Sequence, residues 1–123
     1  MSDSFYIQQR DGITLLKSRL LDNFPYIRHA FSTRKGGIST EECDSLNLAW
    51  KRRDSRENVI ENHRRFASAM GIKPENFVFI ELKHSDRVIT VTSESRSSGR
   101  WWDGIPSDYD GIITRDLNTA LLV

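Results

Sequence analysis

The chain has 123 residues, of which 37% are hydrophobic and 28% charged, and its formal net charge at pH 7 is +1. This length predicts a single domain over residues 1–123, or part of a larger one. The near-neutral charge argues against nucleic-acid binding, which favours a strongly basic face. No apolar run resembles a signal peptide or a membrane span. The single cysteine, Cys43, excludes an internal disulfide and predicts a reducing, cytoplasmic compartment.

A β-hairpin is predicted at the start of the chain. Residues 5–9 and 13–16 have the composition of two strands, and Asp11-Gly12 between them is a strong signal for a two-residue turn. The hairpin therefore supplies the first antiparallel pair of the predicted sheet.

The segment after the hairpin is less regular. Residues 18–23 are predicted to form a short loop or helical turn, with Leu20 and Leu21 buried. Residues 26–33 are predicted to form the next strand, because small, aromatic and β-branched side chains are common there.

A pair of glycines, Gly36 and Gly37, follows this strand and comes directly after Arg34 and Lys35. Glycine permits a close backbone approach, and two cations beside exposed amides are typical of an anion cradle. A surface hairpin turn with solvated charges is the simpler interpretation, and the local pattern leaves both open. Residues 45–48, Ser-Leu-Asn-Leu, predict an extended segment with its leucines facing the core.

One main helix is predicted over residues 55–70. Asp54 or Ser55 is suited to cap its N-terminus, and Gly71 to end it. Side chains at helical spacing form one stripe, in which a hydrogen-bonded core histidine is favoured over a metal ligand. The stripe comprises Val59, Ile60, His63, Phe66, Ala67 and Met70.

The second half of the chain is predicted to consist of strands and loops. Strands are indicated at residues 77–82, 87–92, 112–114 and from 119 onward. Residues 93–107, with a Trp101-Trp102 pair, have loop composition. Strands that outnumber one helix predict an α+β fold with a mixed β-sheet. The apolar ending, Ala120 to Val123, indicates a chain cut at its C-terminus, or else a short edge strand in a complete small protein.

Several of these segments together resemble a known family. Phe31-Ser-Thr-Arg-Lys-Gly-Gly-Ile-Ser39 followed by Ser45-Leu-Asn-Leu48 is similar to the N-terminal signature of the multicopper polyphenol oxidase, or laccase-domain, proteins. These proteins are also described as zinc-dependent purine nucleoside phosphorylases. The resemblance implies an incomplete laccase-domain fold, with this chain as its N-terminal part.

The resemblance also implies a metal site at His84, which matches a zinc-binding histidine in the family motif Gln-Val-His-Gly. The family's two other ligands, a Cys in Thr-Ala-Asp-Cys and a His in His-Ala-Gly-Trp-Arg, lie downstream of the strand matched by the chain's last residues. Leu82, Lys83 and Ser85 stand here in the places of Gln, Val and Gly. A catalytic zinc takes about three protein ligands, so His84 alone is an incomplete site.

Four residues match positions near the family's active-site pocket and are candidate substrate contacts. Arg34 suits phosphate, because its guanidinium binds an oxyanion with two hydrogen bonds, although it can equally pair with a carboxylate of the protein. Asn47 suits a purine or ribose, although it can equally cap a turn, and Ser32 belongs to the same signature. Asp110 matches the Asp of Ala-Asp-Ala-Leu-Val-Thr, where it can contact a ligand or orient His84, although capping a turn is the simpler interpretation.

The expected function is therefore enzymatic. The resemblance implies a parent protein that cleaves purine nucleosides with phosphate and deaminates adenosine, using zinc, with copper as the family's alternative metal and polyphenol oxidation as its alternative activity. The chain alone is expected to be inactive. The alternative is a small or degenerate α+β module that binds a partner without catalysis. The oligomeric state is left open.

Overall fold

The computed structural model describes residues 3–50, 52–95 and 108–123. The chain divides into two compact units, residues 1–71 and residues 72–123. The predicted α+β class is confirmed, with parallel and antiparallel pairing distributed over three small sheets. Most of the loop predicted at 93–107, including Trp101 and Trp102, lies outside the described residues. No helix in the described ranges is long and apolar enough to cross a membrane.

The first unit begins with the predicted hairpin. Strands β1 (Phe5–Arg10) and β2 (Ile13–Ser18) pair antiparallel, and β3 (Phe31–Ser32) pairs with β2 on its other side. Asp11 and Gly12 have φ values of 52° and 80°, which is the positive-φ pair that a tight hairpin turn requires. The two-residue turn at Asp11-Gly12 therefore sets the register in which Arg10 lies opposite Ile13.

Two predictions for the next segment are wrong. The helical turn α1 (Arg19–Asp22) forms, but Leu20 is 68% exposed rather than buried, because one turn at the end of the hairpin leaves it facing solvent. The strand predicted over 26–33 is reduced to β3, because the chain turns before it. In that turn the amide of Ile27 donates to the carbonyl of Phe24 at 3.0 Å.

The three-stranded sheet has one buried and one open face. Ile13 and Leu15 lie on the buried face and are 0% and 1% exposed. On the open face Ile7 lies opposite Leu16, and Leu16 lies opposite Phe31. Ile7 and Phe31 are 60% and 74% exposed, so an apolar row crosses all three strands on the solvent side.

The main helix, α2 (Arg56–Met70), confirms the prediction over 55–70. The hydroxyl of Ser55 accepts the amide of Asn58 at 3.1 Å, and the left-handed Gly71 ends the helix. The predicted stripe faces the core, apart from Ile60, which is half-buried. His63 is 2% exposed and its Nε2 lies 2.9 Å from the carbonyl of Leu48. Fully or nearly buried side chains of α2 are Val59, Asn62, His63, Phe66, Ala67, Ala69 and Met70.

In the second unit, the described residues form two parallel strand pairs. Its strands are β4 (Phe77–Phe79), β5 (Val88–Val91), β6 (Gly111–Thr114) and β7 (Ala120–Leu122). β4 pairs with β7, and β5 pairs with β6 so that Val88 lies opposite Gly111. Its most buried apolar residues are Phe77, Val78, Phe79, Ile80 and Val91. Within the described ranges, short 3-10 helices lie between the longer elements at Glu41–Cys43, Pro74–Asn76 and Ser93–Ser95.

Candidate functional site

The Gly36-Gly37 loop packs against the segment at 44–46. The carbonyl of Arg34 accepts the amides of Ser45 and Leu46 at 2.9 and 2.8 Å. A Cβ on Gly37 would lie 2.0 Å from the carbonyl oxygen of Ser45, so only glycine fits. Neighbouring backbone thus holds the loop, which does not close a hairpin.

A buried amide connects this loop to helix α2. Asn62 is 0% exposed, and its Oδ1 accepts the amide of Ile38 at 2.9 Å. Its Nδ2 donates to the hydroxyl of Ser39 at 2.8 Å and to the carbonyl of Asn47 at 2.9 Å. One side chain therefore positions both the glycine loop and the segment that carries Asn47.

The carboxylate of Asp54 extends the network. Its Oδ2 accepts from the Ser39 hydroxyl at 2.5 Å and from the Asn47 amide at 3.0 Å. Its Oδ1 accepts from the Ser55 amide at 2.9 Å and from Nδ2 of Asn58 at 3.1 Å. Burial acts to raise the pKa of Asp54, but these hydrogen bonds to the ionised form outweigh it and lower the pKa.

The side-chain amide of Asn47 already uses most of its hydrogen-bonding capacity within the protein. Its Nδ2 donates to the carbonyl of Ala49 at 3.2 Å as well as to Asp54, and its Oδ1 accepts the Ala49 amide at 3.0 Å. A primary amide has two N–H donors and two acceptor lone pairs. Only one lone pair on Oδ1 is left, so Asn47 as it stands can accept a hydrogen bond from a ligand but not donate one.

An open cleft of about 670 Å³ lies beside this network. It is lined by Arg34, Glu42, Cys43, Asp44, Leu46, Asn47, Arg52 and Arg53. Nε of Arg34 donates to the carbonyl of Asp44 at 3.0 Å, which orients the guanidinium. Two of the predicted substrate residues, Arg34 and Asn47, therefore share a cleft. Ser32 is not among the lining residues and lies on β3 opposite Leu15.

Cys43 lines the same cleft as a free, half-buried thiol. Burial, together with the nearby carboxylates of Asp54 and Glu42, raises its pKa, while Arg52 acts in the opposite direction. A raised pKa keeps the thiol protonated, and only the thiolate is a good nucleophile or metal ligand. The Cys43 thiol is therefore poorly suited to either role.

In the second unit, Asp110 and His84 belong to one cluster of loop residues. The carboxylate of Asp110 accepts the amides of Lys83 at 3.0 Å, His84 at 2.9 Å and Ser85 at 2.9 Å, and the Ser85 hydroxyl at 2.8 Å. The Ser85 amide contributes most to a pKa of about 2 for Asp110; burial opposes the shift, and the other donors add to it.

His84 itself is exposed and has a φ of 60°, in the left-handed region. Asp110 contacts its backbone rather than its ring. In residues 3–50, 52–95 and 108–123, no three His, Cys, Asp or Glu side chains are grouped so that they could hold a metal ion. The described residues alone therefore do not fit a complete metal site.

The sequence matches the family described as multi-copper polyphenol oxidoreductase laccase over residues 28–123. The protein belongs to this laccase-domain family. Among curated relatives, it is 39% identical over 116 residues to the mouse purine nucleoside phosphorylase LACC1, covering 91% of the chain and 24% of that protein. It is 30% identical over 92 residues to the purine nucleoside phosphorylase YlmD of Bacillus subtilis, covering 74% of the chain and 33% of YlmD.

Solved laccase-domain structures share the fold. YlmD from Geobacillus stearothermophilus matches with a TM-score of 0.79 and 27% identity, over 98% of this chain and 43% of that one. YfiH from Bacillus licheniformis matches with a TM-score of 0.75 and 25% identity, over 92% and 40%. The chain spans about a quarter of the length of mouse LACC1 and a third of the length of Bacillus subtilis YlmD.

The sequence indicated the residues that resemble the laccase-domain signature, but not the residues whose hydrogen bonds hold that segment in place. Asn62, Asp54 and Ser39 were not singled out as site residues. A signal did exist for Asn62, because it lies three residues after Val59 in the apolar stripe of α2. A polar residue in such a stripe must find hydrogen-bond partners when it is buried.

Proposed function

We propose that the chain forms the N-terminal part of a zinc-dependent purine nucleoside phosphorylase of the laccase-domain family and is inactive alone. The observation that carries this is the 39% identity to mouse purine nucleoside phosphorylase LACC1 across 91% of the chain. The substrates are then a purine nucleoside and phosphate. Deamination of adenosine is a second reaction of the same parent protein. The parent protein is placed in the cytoplasm.

The cleft in the first unit supports roles for two substrate contacts. Arg34 is oriented by Asp44 and directs a guanidinium into the cleft, where a phosphate oxyanion would receive paired hydrogen bonds. Asn47 retains one acceptor site, which suits a ribose hydroxyl or a purine amino group as the donor. Ser32 is a third contact, proposed on its place in the family signature alone.

In the second unit we assign one metal ligand, His84, to a site completed by residues outside those described. The zinc, when bound, would polarise an oxygen or lower the pKa of a bound water. For Asp110 the sequence left ligand contact and orientation of His84 open beside turn capping, which was the simpler interpretation. Its hydrogen bonds to the amides of residues 83–85 support orientation.

The test is an assay for hypoxanthine with inosine, phosphate and zinc. The chain alone should give none, and turnover by it would mean that the active site has been placed wrongly. The coding sequence after Val123 supplies the second arm. A Thr-Ala-Asp-Cys segment followed by His-Ala-Gly-Trp-Arg should restore turnover when included, and Arg34→Ala in that longer protein should raise the KM for phosphate.

A non-catalytic binding module is the second candidate. The departures at Leu82, Lys83 and Ser85 from the family motif favour it, because a lysine cation beside His84 opposes metal binding. A stop codon directly after Val123, together with calorimetric binding of inosine by the chain without turnover, would support the module. Turnover by the longer protein would exclude it.

A further inference from the structure

Among the described residues of the second unit, the loop that carries His84 is held by several hydrogen bonds to one side chain. Three consecutive amides, those of Lys83, His84 and Ser85, converge on the single carboxylate of Asp110. Successive amides that point into one concavity form an anion-binding nest. Here the anion is a side chain of the protein itself, supplied from a segment 25 to 27 residues further along the chain.

The carboxylate is saturated by these contacts. Oδ1 accepts from the amides of Lys83 and Ser85 and from the Ser85 hydroxyl, and Oδ2 accepts from Lys83 and His84. Two carboxylate oxygens offer about four lone-pair sites in all. A substrate group could reach Asp110 only by displacing a backbone amide or the Ser85 hydroxyl, so a direct substrate contact is disfavoured.

Another hydrogen bond holds the same two segments together. The amide of Asp110 donates to the carbonyl of Arg87 at 2.9 Å. β5 and β6 begin directly after these residues and pair in register. Asp110 is therefore fixed beside the sheet, and its carboxylate can hold the loop of residues 83–85 in one conformation.

The conformation of His84 is the feature that this arrangement determines. A φ of 60° is unusual for a residue with a Cβ and persists only where the surroundings enforce it. The direction of the Cα–Cβ bond follows from the backbone dihedral angles. A return of His84 to the right-handed region would turn its imidazole away from its present direction.

We propose that Asp110 is the positioning residue of His84: by holding the amides of residues 83–85 it sets the direction of the imidazole, and it does not contact substrate. This inference rests on the proposed function in one respect, that His84 is a site residue. It assigns to a carboxylate of the family signature a role exerted through the backbone.

The test is nuclear magnetic resonance of the chain with Asp110→Ala. The amide resonances of Lys83, His84 and Ser85 should shift and their hydrogen exchange should quicken by about tenfold or more, because their acceptor is lost. The ring resonances of His84 should shift or broaden as well. Sodium formate should restore both sets of signals saturably, since it can occupy the emptied nest, while sodium chloride at equal ionic strength should not.

The matched control is Asp108→Asn. Asp108 is a neighbouring exposed carboxylate whose only side-chain partner within the described residues is Arg87, at 3.9 Å. Its replacement should leave the 83–85 amides and the His84 ring unchanged. If Asp110→Ala does not fold by circular dichroism, Asp110→Asn, which keeps one acceptor oxygen, serves in its place.

Two results would overturn the proposal. One is unchanged amide resonances in the Asp110 variant, and the other is amide shifts without any change at the His84 ring. Neither readout requires turnover, so a failed phosphorylase assay would leave the expected spectra intact. Conversely, if Asp110 contacts substrate instead, Asp110→Ala in the longer protein should lower hypoxanthine release while the ring resonances of His84 stay unchanged.

Discussion

Two carboxylates, Asp54 in the first unit and Asp110 in the second, organise the loops that carry the candidate site residues. Each accepts hydrogen bonds from four donors among the described residues. For Asp54, three of these are side-chain groups and one is a backbone amide. For Asp110, three are backbone amides and one is a hydroxyl. The region around Asp54 is thus held mainly by side-chain donors, whereas the loop at Asp110 is held mainly by backbone amides.

The difference determines how each region responds to substitution. A network of side chains can be weakened one member at a time, and each loss leaves a specific polar group without its partner. A nest of backbone amides has only one member that substitution can remove cleanly, the carboxylate. We therefore expect graded effects around Asp54 and a single, local effect at Asp110.

The largest effect is expected at Gly37, where the first unit also depends on backbone packing. Gly37→Ala would place a Cβ 2.0 Å from the Ser45 carbonyl oxygen and should cost more than about 3 kcal/mol in the free energy of unfolding. Urea denaturation measures this loss in the free energy of unfolding. Gly12→Ala is the control, because the site is open and only its positive φ costs about 1 kcal/mol. Equal losses for the two variants would contradict the packing described here.

The next effect tests the side-chain network itself. Asn62→Ala removes the partner of the Ile38 amide and of the Asn47 carbonyl, and one of two partners of the Ser39 hydroxyl, at a fully buried site. It should cost about 3 kcal/mol. Asn58→Ala, which removes one donor to Asp54 at a half-buried site, should cost about 1 kcal/mol or less. A larger loss for Asn58→Ala would show that the network is centred elsewhere.

A smaller effect is expected where a first-unit side chain accepts a backbone amide, as Asp110 does. Ser55→Ala removes the hydroxyl that accepts the Asn58 amide and should lower the free energy of unfolding by about 1 kcal/mol. Ser68→Ala, an exposed site on the same helix, should be neutral or slightly stabilising, because alanine favours helix. Thermal denaturation of the pair checks the difference.

The smallest effect on global stability is expected from the titration of Asp110. Its pKa is about 2 against an ordinary 3.8, so it contributes stability above about pH 4 that is lost as the pH falls through about 2. Asp54 has a lowered pKa and acts in the same direction. Asp110→Asn should flatten the acid dependence of unfolding in this window, and an unchanged profile would contradict the hydrogen bonds assigned to it.

Much of the fold could be predicted because its signals are local. The apolar spacing along α2, with Ser55 before it and Gly71 after it, gave the helix within one residue. Asp11-Gly12 gave the hairpin because that pair accepts the dihedral angles of the turn. The strand predicted over 26–33 was too long because propensity does not show where a partner strand is available.

The arrangement around the site was harder to predict because it depends on distant partners. Asp110 and His84 were both found by resemblance, but every residue except proline carries the same backbone amide, so no residue type indicated the nest. The contacts that Asn47 makes with Asp54 and Ala49 were also invisible. The sequence indicated that its amide can donate and accept, whereas the fold leaves it only an acceptor site.

The open face of the three-stranded sheet has a practical consequence for anyone handling the chain. Ile7 and Phe31 present apolar surface to solvent on either side of Leu16, and molecules at high concentration can bury such surface against each other. Glutamate at these two positions would interrupt the row without touching Ile13 or Leu15 beneath it. The doubly substituted chain is therefore the form to prepare where colloidal stability limits the sample.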